Sequence, residues 1–202
     1  WVEDGPNRPD TKRNNEVWSI GLDGAGAFVA GTRQFEFATP DLDYSSNWPA
    51  NCTSPISDIA QGPDCCLYIA ERGMGSDSSS YPHRSRLIVA CQNADGGWDL
   101  DVDAYTMGSP ALDHSSAGGV AVDYQDDGRV WGTADAVIFA GGNYTYGIQG
   151  TPLPGGDPST SINIDLDNDI LEGDKSGIGS IDITCFIGDS GPCIVAETYD
   201  GI

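Results

Sequence analysis

Basic residues are scarce in this chain. Lys and Arg number 9 against 31 Asp and Glu, giving a formal net charge of −22 over 202 residues. Such a surface repels phosphate backbones and anionic lipid, which excludes nucleic acid as a partner. Long apolar runs are missing too. None approaches the roughly 18 residues that cross a bilayer as a helix, so no membrane span is expected. No apolar stretch keeps helical spacing over three turns, which leaves helix at most a turn or two. The first residues, Trp1-Val2-Glu3-Asp4-Gly5-Pro6, lack a basic segment followed by an apolar one. Any signal peptide is therefore expected to have been removed.

Turn formers and short β-branched runs are abundant instead. Gly numbers 27 and Pro 12. Between them lie apolar runs at 17–20, 67–70, 87–90, 120–122, 137–140, 181–183 and 194–196. That pattern defines an all-β class. A unit of two apolar strands joined by a polar turn also recurs, at 56–71, 119–133 and 178–197. Leu67, Val130 and Ile194 hold equivalent places in it. Such a unit cannot bury its own apolar face, so its copies must stack.

Each inner pair is followed by an outer pair, 86–91 with 98–105 and then 136–140 with 144–149. Four strands in that order make a propeller blade. The segments 16–22 and 28–37 read as a further outer pair with no inner partner, and 178–202 as an inner pair with no outer partner. The expectation is a β-propeller-like array of about three four-stranded blades that starts and ends mid-blade. Its units are outer strands at 16–55, blades at 56–117 and 118–177, and inner strands at 178–202. Three outcomes stay open: a piece of a longer propeller, a small closed ring or sandwich, or a polymer. In the polymer, the outer pair of one copy completes the blade of the next by strand pairing of 16–38 with 194–198.

The stretch from Ile56 to Cys185 resembles blades of bacterial secreted or cell-surface β-propellers. The residues that carry the likeness are D-I-A-x-G-P-D-x-x-L-Y-I-A-E at 58–71, G-G-V-A-V-D at 118–123, G-R-V-W at 128–131, Y-G-I-Q-G at 146–150 and the acidic segment 164–175. The resemblance implies a fold and says little of activity, because propellers host many.

Six cysteines, Cys52, Cys65, Cys66, Cys91, Cys185 and Cys193, suggest disulfides and an extracellular or cell-surface location. Cys185 and Cys193 are expected to bond across a hairpin turn. The other four are expected to hold two more bonds, with the neighbours Cys65 and Cys66 pointing to opposite sides and each having its own partner. Asn51 and Asn143 head glycosylation sequons, and Asn143, at a hairpin tip, is the better acceptor.

Asp165, Asp167, Asp169, Glu172 and Asp174 could converge on Ca²⁺, the sole cofactor considered. The competing reading is a solvated acidic turn. Asp99, Asp101 and Asp103 alternate with Leu100, Val102 and Ala104, as in an amphipathic outer strand. Asp123, Asp126 and Asp127 fit a hairpin turn. The run Gly188-Asp189-Ser190-Gly191-Pro192 is similar to the nucleophile loop of trypsin-like proteases. Neither His83 nor His114 sits in that family's context, and the run is also explained as a hairpin turn. Trp18, Trp48, Trp98 and Trp131 could stack on sugars, although Trp131 shares the repeat position of Tyr68 and reads as packing between blades. No catalytic residue is assigned. The favoured reading is a structural protein of a bacterial surface or matrix that polymerises head to tail with copies of itself. A hydrolytic propeller enzyme and a glycan- or ligand-binding module compete with it.

Overall fold

The computed structural model describes residues 15–40, 53–76, 79–80, 85–108, 114–124, 128–138, 144–165 and 180–183. Among these residues every regular element is a strand, in agreement with the all-β expectation. The strands are β1 (Glu16–Ser19), β2 (Gln34–Ala38), β3 (Ile56–Gln61), β4 (Leu67–Glu71), β5 (Met74–Ser76), β6 (Ser79–Ser80), β7 (Leu87–Gln92), β8 (Trp98–Tyr105), β9 (Ser116–Val122), β10 (Arg129–Ile138), β11 (Tyr144–Pro152) and β12 (Ile162–Asp165).

Two four-stranded antiparallel sheets result, β3-β4-β7-β8 and β9-β10-β11-β12, each running in chain order. The first matches the runs expected from the sequence at 56–61, 67–71, 86–91 and 98–105. Its turns explain why. Residues 62–66 reverse the chain with Gly62 N–H donating to the Cys66 carbonyl, and residues 93–97 with Asn93 N–H donating to that of Gly97. The extra length between β4 and β7 holds the small pair β5–β6.

The second sheet differs from the expected order. Residues 129–133 and the start of 136–140 are one strand, β10, with a register shift between Ala134 and Val137. The linking Ala134-Asp135-Ala136 holds no turn former, so the chain bulges and continues where a hairpin would need Gly, Asn or Pro. The expected fourth strand, β11, thereby becomes the third. The fourth is β12, from the start of the acidic segment, with Gly147 opposite Asp165 and Gly150 opposite Ile162.

The layers stack face to face. Tyr68, Ala70, Leu87, Val89 and Tyr105 of the first sheet form one core with Val120, Val122, Val130, Ala134 and Val137 of the second. The opposite face of the first sheet, through Ile69, Ile88 and Ala90, forms another core with Val17 and Phe37 of the β1–β2 hairpin. Period-2 alternation makes this possible, because each strand of the middle sheet is apolar on both sides where it is covered. In β8 the cover runs out on one side. There Asp99, Asp101 and Asp103 face solvent while Leu100, Val102 and Ala104 are half-buried, as expected for an amphipathic outer strand.

Candidate functional site

The surfaces to consider are the two outer faces of the stack. At one end lies the hairpin. Its inward side carries Val17 and Phe37, whose ring meets that of Trp98 at 5.2 Å. Glu36 accepts from the Trp98 indole N–H at 3.0 Å and from the Ser19 hydroxyl. These two donors, the hydroxyl foremost, hold its carboxyl below the usual glutamate range. On the outward side Trp18 meets Phe35 edge to face at 5.3 Å, and the Arg33 guanidinium lies 4.0 Å from the Trp18 ring centre. Phe35 is 47% exposed and Ile20 42%. The hairpin sits face-on against the first sheet and forms no ladder with β3.

At the other end is the outer face of the second sheet. Trp131 is opposite Gly150, which is opposite Ile162. One step along, Thr133 is opposite Ile148 and Ile148 opposite Ile164. Partners in an antiparallel ladder share a face, so Trp131, Ile148, Ile162 and Ile164 form one apolar group. The Trp131 ring lies over Gly150, where a Cβ would come within 2.7 Å of it. Ile162 and Ile164 are 46% and 41% exposed. The repeat explains this face. Trp131 is the counterpart of Tyr68, which the second sheet covers to 1% exposure. Packing between layers holds for Tyr68; among the described residues, no layer covers Trp131 in the same way.

A further segment approaches the outer face of β9. A Cβ on Gly119 would stand 3.0 Å from Ser180 Cα and 3.1 Å from the Ile181 nitrogen. Ser180 and Ile181 thus lie over the outer face of β9, as Ser57 of β3 lies against its inner face at Gly118. Asp58, half-buried beside β9, accepts from the amides of Val120 at 3.0 Å and Ile59 at 2.9 Å. Burial nonetheless pushes its carboxyl up, and the nearby Asp182 adds to this.

Of the proposed calcium ligands, Asp165 ends β12, and Asp167, Asp169, Glu172 and Asp174 lie outside the described residues. Both carboxylate oxygens of Asp165 are buried without a hydrogen-bond partner. No group of three or more metal-ligating side chains occurs among the described residues. His114 places Nε2 at 3.7 Å from Asp103, whereas Asp113, His83, Trp48 and the run 188–192 lie outside the described residues. Asn51, Asn143, Cys52, Cys185 and Cys193 lie outside them as well.

Cys66 bonds to Cys91 across β4 and β7, with Cα atoms 4.3 Å apart. Cys65 is an exposed free thiol in this structure. Cys65 occupies the left-handed corner of the β3–β4 turn, at φ 65°, and faces solvent, while Cys66 already points into the sheet.

Two buried polar groups escaped the sequence reading. Glu71 is fully buried and pairs bidentately with Arg86, at 2.8 Å from Nε and 2.7 Å from Nη2. Burial raises its carboxyl above the usual range, and Arg86 opposes that rise. The repeated Ala-Glu at 70–71 and 196–197 was the available signal. Gln149, also fully buried, accepts from the Gly108 amide at 2.9 Å and donates to the Thr106 carbonyl at 2.8 Å. It ties the exit of the first sheet to the middle of the second.

The chain matches no known protein family, no curated protein and no solved structure.

Proposed function

We propose that this is an extracellular structural protein of a bacterial surface or matrix, whose sheets are propeller-type blades and whose copies join head to tail. The observation that supports this most is the pair of outer faces: both ends of the stack present aromatic or β-branched side chains, and such faces on a soluble chain mark contact sites. The disulfide between Cys66 and Cys91 fits an oxidising compartment. The surplus of acidic side chains suits a surface that stays soluble except where apolar groups meet.

A bound cation belongs to the same reading. Two buried carboxylate oxygens without partners, as on Asp165, ask for a counter-charge, and Ca²⁺ accepts such hard ligands.

Sedimentation and negative-stain microscopy of the full chain test the assembly. Head-to-tail strings are expected. Discrete particles at all concentrations would refute it.

A further inference from the structure

We infer that the chain's own third repeat unit covers the second sheet. Residues 193–197, outside the described residues, form a strand next to 180–183 and seat Ile194 on Trp131, Ile148, Ile162 and Ile164. This goes beyond the assembly reading and does not rest on it. A second sheet covered from within leaves 193–197 as an edge strand, the place where a neighbour's hairpin would pair.

Three observations lead there. First, the cover has already begun. Ser180 and Ile181 lie against Gly119. Alternation puts Gly119 on the same face as Ala121, whose ladder partner is Trp131. Burial of that face is graded from this edge outward. Thr133 is 0% exposed and Ala121 8%, whereas Ile162 and Ile164, on the far strand, are 46% and 41% exposed. The equivalent face of the first sheet has no such gradient. Under the second sheet, Tyr68, Leu87 and Tyr105 are all 1% exposed or less. Second, the step from unit to unit is constant. Ser57 meets Gly118, 61 residues on, and Gly119 meets Ser180 at the same interval. Residues 180–183 thus follow β9 as β9 follows β3, and on the side of β9 away from Ser57. Third, a returning strand comes next in each unit. β3 turns back into β4 and β9 into β10, and the second strand pairs with the first. Val130 of β10 is 0% exposed and shares a core with Tyr68. Ile194 holds the place of Val130 in the repeat, and Trp131 that of Tyr68. The same packing therefore brings Ile194 onto Trp131. Residues 184–192 supply the reversal, with the turn formers Gly188, Gly191 and Pro192.

The test places the photo-reactive residue p-benzoylphenylalanine at Ile162 or at Ile164 of the full-length chain, with products read by denaturing gel and peptide mapping. Both positions are nearly half exposed, so the fold should tolerate the larger ring. Each variant should give a product of monomer mass joined to a peptide from 184–202, at a yield that dilution leaves unchanged. In the unmodified chain, the amides of 193–197 should exchange with solvent roughly 100-fold more slowly, or slower still, than in an unpaired peptide. A product of dimer mass would show that another copy covers the face, which overturns the inference and leaves the assembly reading intact. Links to any other segment, no product from either position, or peptide-rate exchange at 193–197 would overturn it too. Monomer-mass links to 184–202 in a chain that forms no strings would uphold this inference and refute the assembly reading alone.

Discussion

The Ser57 hydroxyl donates to the carbonyl of Gly118 at 2.7 Å, tying β3 of the first sheet to β9 of the second at their inner edges. Arg72 adds a bond from Nη1 to the Ala117 carbonyl at 2.7 Å. The approach is close because Gly118 has no side chain. It sits at φ +105°, and a Cβ there would come within 2.6 Å of Ser57 Oγ and 3.0 Å of the Arg72 Cβ. Gly118→Ala should therefore cost about 3 kcal/mol, from a strained backbone and overpacking together. Urea unfolding monitored by circular dichroism measures it. A loss below about 1 kcal/mol would mean that the edges separate easily.

Acid should loosen the hairpin before the sheets. The Glu36 carboxyl is held below its usual range in the fold, so its contribution is present above the unfolded value and is lost as pH falls through the folded one. Asp58, raised by burial, has the opposite sign and contributes most at low pH, its effect fading as pH rises through its folded value. The inner edge should thus persist in acid while the hairpin lifts. Trp98 fluorescence should report an acid transition that Glu36→Gln shifts, ahead of the loss of sheet signal. A single transition that Glu36→Gln leaves unmoved would contradict this.

Peptide mapping without reduction should link Cys66 to Cys91, and Cys65 should react with iodoacetamide in the native protein. The bonded cysteines are 25 residues apart. Closing a loop of that size stabilises by about 3 kcal/mol, so the double variant Cys66→Ala/Cys91→Ala should lose about that much in denaturant unfolding.

Calcium should raise the thermal midpoint of the unmodified chain and leave Asp165→Asn unchanged. Without calcium, the order should reverse. Asp165→Asn should melt higher, because it removes an uncompensated buried charge. Scanning calorimetry with and without chelator decides it. Equal calcium responses in both proteins would assign the ion elsewhere.

Local signals carried most of the first sheet. Its strands alternate or run apolar between Gly, Asp and Asn turns, and those turns form through bonds within five residues. The all-β class and the amphipathic face of β8 follow from the same local rules. The second sheet was less legible. A bulge and a turn present similar apolar runs, and only the ladder with β11 shows that β10 continues past Ala134. Which of two adjacent cysteines bonds depended on one left-handed residue at a turn corner. The pairing of Glu71 with Arg86 spans 15 residues and is set by the packing of β4 against β7. By itself the sequence determined the strands and their periodic faces, because these depend on neighbours along the chain. Only the tertiary structure decided which faces are covered and which stay open, because covering a face depends on where distant strands come to rest.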